Sequence, residues 1–282
     1  MMNKYVKKWS VYYLCSLILS LYSLPSWANK LAIVIDDIGY RSKEDSAIYA
    51  LPKEVNVAII PVAPYAKMRA EQAFNQQRDV LIHLPMEPQS KQPIEDGALK
   101  VGMSELQIAA LIERSREKVP YAIGLNNHMG SRATSDKQSM QYLMKALLTQ
   151  QLFFLDSKTA GNSVGYKIAQ ELGVKALERH IFLDDSDKLE DVQRQFKAAI
   201  DYARKNGTAI LIGHPRKNSV AVLEKGIANL PADIQLVSLS HLWREENVTP
   251  VKPFILRFDV EPAPTSVPPF ESIPLLRGMP KD

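Results

Sequence analysis

Short apolar runs alternate with amphipathic helical stretches from Leu31 to about residue 239, and this alternation constrains the fold more than any other feature of the chain. Most of the runs are continuously apolar, which is typical of parallel strands that are covered on both faces. The eight strand candidates are Leu31–Ile35, Val55–Ile60, Asp79–Ile82, Ala122–Leu125, Leu152–Leu155, His180–Leu183, Thr208–Ile212 and Ile234–Leu239. Repeated strand–helix units require right-handed crossovers, so the pattern predicts either a doubly wound sheet or a barrel.

The stretches between these strands have helical periodicity and residues that favour helix starts. The predicted helices are Ser104–Lys118, Asp136–Gln150, Gly165–Leu172 and Leu189–Lys205. Gln107 follows Ser104 at capping-box spacing, and Asp136 and Ser163 are predicted N-caps. Eight strands in about 210 residues favour a barrel, and the first strand lacks the Gly-rich phosphate loop of nucleotide-binding sheets. We therefore predict the α/β class, with an incomplete or distorted (β/α) barrel of about seven strands as a single domain over residues 29–243.

The first 28 residues have the composition of a secretory signal peptide. Three lysines precede an apolar run from about Val11 to Leu24, and Ser26-Trp27-Ala28 fits the small-x-small cleavage pattern. Because the run is short for a membrane-spanning helix, we favour a cleaved signal, a periplasmic location and no stable membrane span, with an uncleaved anchor as the alternative. Cleavage removes the three lysines and lowers the formal net charge from +4 to about +1, so basicity gives no reason to expect a nucleic-acid partner.

The remaining composition restricts the metal chemistry and the end of the chain. The only cysteine, Cys15, lies in the predicted signal peptide, so a metal in the mature chain has to be bound by histidine and carboxylate groups. Eight of the 18 prolines follow Trp243. Because proline fixes φ and lacks an amide donor, we predict that residues 244–282 form an extended or disordered tail.

Polar residues interrupt the apolar pattern at one place in each unit, directly after the strands. They are Asp36-Asp37, His83 with Glu87, Asn126-Asn127-His128, Asp156 and His214. Each has an ordinary structural explanation, such as a turn, a helix cap or a bond to the backbone, and we give that interpretation to His180 and His241. Because the strand C-termini of a β/α barrel open onto one face, we expect the strand-end residues to converge there.

The residue types at these strand ends suit a catalytic metal ion. Oxygen and nitrogen ligands favour zinc and other borderline divalent cations. Such an ion needs about three protein ligands and an open position, where it lowers the pKa of water and polarises a carbonyl group. A second carboxylate can accept the proton of the water, and a histidine on the opposite wall can protonate the leaving group. The five residues that supply these groups are Asp36, Asp37, His83, His128 and His214.

Five motifs together resemble the divergent branch of the polysaccharide deacetylases, over about Leu31 to Trp243. They are, in order, IVIDDIG, LIHLPMEP, LNNHMGSRAT, FFLDSKT and LIGHPR. The resemblance implies that Asp36 is the catalytic base, that Asp37 and His83 bind a divalent metal, with zinc preferred, and that His214 is the general acid. Glu87 stands where the family has the second histidine of a pair, so the third ligand is either Glu87 or His128, and we prefer His128.

Two further segments depart from the family pattern. The stretch around Asn126–Arg132 replaces an Arg-Pro-Pro-Tyr segment, and Arg132 is expected either to contact an acyl oxyanion or a substrate acid, or to form a surface salt bridge. Asp156 matches a later acidic motif loosely and is expected to orient His214 or Asp36. The resemblance implies a metal-dependent hydrolase that removes acetyl groups from an envelope glycan. The alternatives are a glycan-binding or regulatory protein without turnover, and another metal-dependent hydrolase such as a phosphodiesterase.

Overall fold

The structure is a computed structural model that describes residues 28–244. The predicted signal peptide, apart from its last residue, and the predicted Pro-rich tail, apart from its first residue, lie outside the described residues. Within residues 28–244, no helix combines the length and apolar character needed to cross a membrane.

A parallel β-sheet forms the centre of the domain and curls into a half-barrel. Its strands are β1 (Asn29–Ile38), β2 (Asn56–Ile59), β3 (Val80–Met86), β4 (Gly124–Met129), β5 (Phe153–Asp156), β6 (Ala176–Glu178), β7 (Ile181–Phe182), β8 (Thr208–Gly213) and β9 (Ile234–Val237). The order along the sheet is β6-β5-β4-β3-β2-β1-β8-β7, and β9 also pairs with β1. All strand pairs among the described residues are parallel, which confirms the predicted α/β class and the incomplete barrel.

Strands β6 and β7 are the two ends of one extended segment, residues 176–182. The amide of Arg179 donates to the Asp156 carbonyl at 2.9 Å, and the amide of His180 donates to the Ile210 carbonyl at 2.9 Å. The segment therefore leaves β5 and joins β8 without an intervening helix. The open path from β6 to β7 contains eight strands, and β9 beside β1 is the ninth. The predicted strand His180–Leu183 corresponds to β7, whereas β6 was not predicted.

Helices connect most of the strands and cover the outer face of the sheet. They are α1 (Ser42–Tyr49), α2 (Ala66–Asn75), α3 (Glu105–Lys118), α4 (Lys137–Thr149), α5 (Gly165–Glu171), α6 (Leu189–Asn206), α7 (Lys217–Ala228) and α8 (Leu239–Arg244), with a 3-10 turn at Ala133–Ser135. The capping box of Ser104 and Gln107 and the Asp136 cap are confirmed. Ser163 does not occupy the N-cap of α5, because that position belongs to Val164.

The side chains of β1 show how the sheet is buried on both faces. Leu31 and Ile33 pack in the core between the sheet and the helices, whereas Ala32 and Val34 pack in the core inside the curl, together with Leu239 of α8. This alternation explains why the strand is continuously apolar in sequence. It also directs the next even-numbered side chain, that of residue 36, toward the interior at the C-terminal end of the strand.

Arg78 is a buried cation that holds the connection between α1 and β2. Its guanidinium donates hydrogen bonds to the carbonyl oxygens of Leu51, Pro52 and Val55, at 2.9, 2.9 and 2.5 Å. We expect Arg78→Leu to lower the free energy of unfolding by about 3 kcal/mol, because two buried carbonyl groups and one partly buried carbonyl group lose a charged donor. Urea denaturation measures this loss.

The matched control is Arg194→Leu, because the Arg194 side chain is 68% exposed on α6. Replacement of an exposed arginine should change the stability by no more than about 0.5 kcal/mol. A similar loss in the two variants would contradict the structural role of Arg78.

Candidate metal centre and active site

A β-bulge at the end of β1 brings two consecutive carboxylates to the same site. Ile35 pairs with Val57 and Ile38 pairs with Ile59, so β1 contains an additional residue between these pairs. Asp37 has a φ of +58°, which is uncommon for a residue other than glycine. Consecutive side chains of a regular strand point to opposite faces. The bulge removes this alternation locally and lets Asp36 and Asp37 lie beside the same histidine.

The donor atoms of Asp37, His83 and His128 form a compact triangle. Asp37 Oδ1 lies 3.3 Å from His83 Nε2 and 3.0 Å from His128 Nδ1. The two ring nitrogens of the triangle are 3.1 Å apart. The structure thus brings together the three residues that were predicted to bind a metal, from the ends of β1, β3 and β4.

The triangle fits a small divalent cation. Ligands about 2.1 Å from one ion lie about 3.0 Å apart in an octahedral site and about 3.4 Å apart in a tetrahedral site, and the observed spacings fall within these limits. Asp37 Oδ1 is buried and lacks a hydrogen-bond partner. An unpaired buried carboxylate oxygen is unfavourable, and a bound cation would remove this penalty. Two imidazole nitrogens and one carboxylate oxygen suit zinc and other borderline cations.

Asn126 connects His83 to the Asp36 carboxylate. Its Oδ1 accepts a hydrogen bond from His83 Nδ1 at 2.9 Å, and its amide donates to Asp36 Oδ1 at 2.8 Å and to Ser157 Oγ at 3.1 Å. Because the amide oxygen can only accept, Nδ1 of His83 carries a proton. In the neutral ring, Nε2 then has a free lone pair that faces the triangle.

Asp36 lies beside the triangle, with its Oδ2 3.6 Å from His83 Nε2. Burial raises the pKa of the Asp36 carboxyl, although the neighbouring His83 and His214 oppose this effect. Burial would also raise the pKa of the Asp37 carboxyl, but the adjacent His128 and His83 rings outweigh burial and lower it. Together, Asp36 and Asp37 outweigh the burial of His83 and raise the pKa of His83 to about 9. Metal binding would therefore displace a proton from this ring.

His214 follows β8 and lies beside Asp37, one of the three residues of the triangle. Its Nε2 lies 3.7 Å from Asp37 Oδ2, and its Nδ1 donates to Asp184 Oδ1 at 2.9 Å. Asp184 is fully buried and also accepts hydrogen bonds from the His214 amide at 2.8 Å and from Ser219 Oγ at 2.6 Å. Burial by itself would lower the pKa of His214, but the carboxylates of Asp184, Asp37 and Asp36 together outweigh burial and raise it. Asp184 thus orients the imidazole toward the site and favours its protonated form.

Glu87 and Arg132 bind each other instead of joining the triangle. Arg132 Nη1 lies 2.7 Å from Glu87 Oε1, and the Arg132 side chain is 58% exposed. The second carboxylate oxygen, Glu87 Oε2, accepts a hydrogen bond from the Val101 amide at 2.8 Å. Of the alternatives left open by the sequence, the structure places His128 with the other two predicted ligands and gives Arg132 a surface salt bridge.

Asp156 has a local role at the end of β5. Its Oδ1 accepts a hydrogen bond from the Lys158 amide at 2.8 Å, and its Oδ2 accepts one from Ser163 Oγ at 2.6 Å. Both oxygens therefore stabilise the turn after the strand. The expectation that Asp156 orients His214 or Asp36 is corrected, because Asp184 holds the first and Asn126 holds the second.

Sequence reasoning missed three side chains of the site. Asp184 follows the predicted strand His180–Leu183 directly, so the signal that selected the other strand-end residues was also present there. Asn126 lies within the LNNHMGSRAT motif, but nothing in the sequence indicated that its amide bridges Asp36 and His83. Glu95 lies in the connection between β3 and α3, with its Oε1 3.6 Å from His128 Nε2, and no periodic or motif signal marks it.

Two sequence relatives cover most of the chain. An uncharacterized protein of Haemophilus influenzae is 60% identical over 263 residues, which cover 93% of this chain and 94% of that protein. The uncharacterized protein YibQ of Escherichia coli K12 is 48% identical over 226 residues, which cover 80% of this chain and 71% of that protein.

Two solved structures share the fold. The uncharacterized protein ATU2773 of Agrobacterium tumefaciens C58 superposes with a TM-score of 0.72 at 22% identity, covering 76% of this chain and 89% of that one. The T48 deacetylase, solved with substrate, has a TM-score of 0.50 at 11% identity, covering 77% of this chain and 92% of that one. A family model described as divergent polysaccharide deacetylase matches residues 33–243, which contain all the site residues described above. The chain therefore belongs to the divergent polysaccharide deacetylase family.

Proposed function

We propose that this protein is a periplasmic, metal-dependent hydrolase that removes acetyl groups from an envelope polysaccharide. The observation that carries the proposal is the triangle of Asp37, His83 and His128, with Asp36 beside His83 and His214 beside Asp37. Membership of the deacetylase family and the shared fold of the T48 deacetylase support a glycan substrate. The composition of the first 28 residues supports the periplasmic location.

The two adjacent aspartates have environments that suit different roles. A divalent ion held by Asp37, His83 and His128 would lower the pKa of a water molecule and polarise the acetyl carbonyl group. Asp37, whose pKa is lowered, stays ionised, as a metal ligand must. Asp36, whose pKa is raised by burial, is the better proton acceptor and takes the proton of the attacking water.

His214 supplies the proton that the leaving group requires. Hydrolysis of an acetamide releases acetate and an amine, and the nitrogen has to be protonated as the C–N bond breaks. Asp184 fixes the His214 ring so that Nε2 faces the site, and it favours the protonated form of the ring. The same group can protonate the oxygen of a sugar released from an O-acetyl ester.

Metal removal tests the proposal. The purified full chain should contain one divalent ion, and it should release acetate from N-acetylated or O-acetylated envelope glycans. Treatment with a chelator should abolish acetate release, and zinc or another divalent ion should restore it. Glycan binding by the stripped protein, with no acetate released after reloading, would instead favour the glycan-binding alternative.

Replacement of Asp184 should weaken the acid function of His214. We expect Asp184→Asn to lower kcat/KM by about 100-fold, because His214 loses the carboxylate that orients it and raises its pKa. A general acid is active only when it is protonated, so activity falls as the pH rises through its pKa. In the variant this fall should occur at lower pH than in the wild type. The pH profile of kcat/KM measures the change.

Asp185→Asn is the matched control, because Asp185 is the exposed neighbour of Asp184 and carries the same charge. Its profile should match that of the wild type. Identical pH profiles of kcat/KM for the wild type and Asp184→Asn would exclude the proposal that His214 is the general acid and that Asp184 raises its pKa.

A further inference from the structure

The connection after β3 forms a loop whose two ends are tied together. We call residues 87–99 the Glu95 loop. The Glu87 amide donates to the Leu99 carbonyl at 2.9 Å, and the Leu99 amide donates to the Pro85 carbonyl at 2.9 Å. Leu99 also bridges to Met86 at the end of β3. Closed ends are typical of Ω-loops, which are compact surface segments and are often functional.

The Glu95 loop is also attached to the segment that follows His128. The amides of Arg132 and Ala133 donate to the Glu87 carbonyl at 3.1 and 3.0 Å. The Gln89 amide donates to Ser131 Oγ at 2.8 Å. The loop and the end of β4 are therefore held together, and the loop carries a carboxylate to the outer side of the His128 ring.

Glu95 lies at the ring nitrogen of His128 that does not face the triangle. His128 directs Nδ1 toward Asp37 Oδ1, and its Nε2 lies 3.6 Å from Glu95 Oε1. The other oxygen, Glu95 Oε2, is buried and lacks a hydrogen-bond partner. A buried carboxylate oxygen without a hydrogen-bond partner is unfavourable. A small inward movement of Glu95 would bring its carboxylate within hydrogen-bond distance of the His128 Nε2–H group.

We propose that Glu95 is a positioning residue that accepts a hydrogen bond from Nε2–H of His128 and directs Nδ1 at the metal. The inference rests on the proposed metal centre and extends it to a residue outside the three ligands. A carboxylate behind a ligating imidazole fixes the orientation of the ring, retains the proton on the distal nitrogen and makes the ligating nitrogen more basic. Asn126 acts on His83 in the same way but from the other ring nitrogen, Nδ1. The two histidines are thus held in opposite tautomers.

Zinc affinity of the full chain tests this role. Competition with a chromophoric zinc chelator would compare the wild type with Glu95→Ala, Glu95→Gln and Asp96→Asn. We expect Glu95→Ala to bind zinc about 10- to 100-fold more weakly, because loss of a partner behind a metal ligand has an effect of this size. Glu95→Gln should lose about threefold to tenfold, because its amide oxygen still accepts a hydrogen bond but carries no charge. Asp96→Asn should bind within about twofold of the wild type, because this exposed neighbour acts only through screened attraction.

The failure of each proposal gives a different result. A wild-type chain that binds no zinc would overturn the metal centre itself. Normal zinc binding by the wild type, Glu95→Ala and Glu95→Gln would overturn only the role of Glu95. An equal loss of zinc affinity in Asp96→Asn and Glu95→Gln would also overturn the role of Glu95, because it would indicate that both carboxylates act only by general charge attraction. If Glu95→Ala lowers the unfolding midpoint of the metal-free protein, the isosteric Glu95→Gln alone decides the outcome.

Discussion

Asp36→Asn is expected to lower the rate of acetate release by about 1,000-fold, within the range for loss of a general base. The asparagine side chain has nearly the same size and can still accept the hydrogen bond that Asn126 donates to Asp36. It cannot take up the proton of the attacking water. The three donor atoms of the triangle remain in place, so zinc affinity should change by less than about tenfold. Steady-state acetate release and chelator competition measure the two quantities separately.

The control for this substitution is Asp156→Asn. Asp156 follows β5 at the same face of the sheet, but both of its oxygens bind within the turn after the strand. We expect its kcat/KM to stay within about threefold of the wild type, because loss of one local hydrogen bond affects stability more than the reaction. Full activity of Asp36→Asn would remove Asp36 from the mechanism. A large loss in Asp156→Asn would restore a catalytic role to Asp156.

His128→Ala is expected to weaken zinc binding by more than about 100-fold, because a lost ligand should have a larger effect than a lost partner behind a ligand. The imidazole Nδ1 lies 3.0 Å from Asp37 Oδ1 and 3.1 Å from His83 Nε2, and its removal leaves two donor atoms in the triangle. Acetate release should then be undetectable at micromolar zinc. Metal content after gel filtration and chelator competition measure the loss.

Glu87→Ala separates the two candidates for the third ligand. The Glu87 carboxylate binds Arg132 and the Val101 amide, so its removal should loosen the Glu95 loop without removing a donor atom from the triangle. We expect the zinc affinity of Glu87→Ala to stay within about tenfold of the wild type. A loss of about tenfold is the smallest effect expected when a residue behind a metal ligand is removed. The reverse result, with zinc lost in Glu87→Ala and retained in His128→Ala, would identify Glu87 as the ligand.

The alternation of apolar runs and helical stretches determined the class of fold without any coordinates. Strands such as Leu31–Ile35 are continuously apolar because both of their faces are buried, and this apolar pattern can be recognised within each segment of the sequence. The strand-end position of Asp36-Asp37, His83, His128 and His214 was likewise visible in the sequence. Parallel strands place their C-terminal ends on one face, so residues that directly follow the strands are expected to lie near one another.

The tertiary structure decided which of these neighbours act together. The bulge that directs both Asp36 and Asp37 to one site depends on the pairing of β1 with β2, and no local pattern encodes that pairing. The choice of His128 over Glu87 depends on contacts between β3, β4 and the Glu95 loop. Asp184 holds His214, in place of the expected Asp156, because β7 lies beside β8. Secondary structure arises from patterns within a segment, whereas a ligand set arises from distances between segments, and only the packed chain specifies those distances.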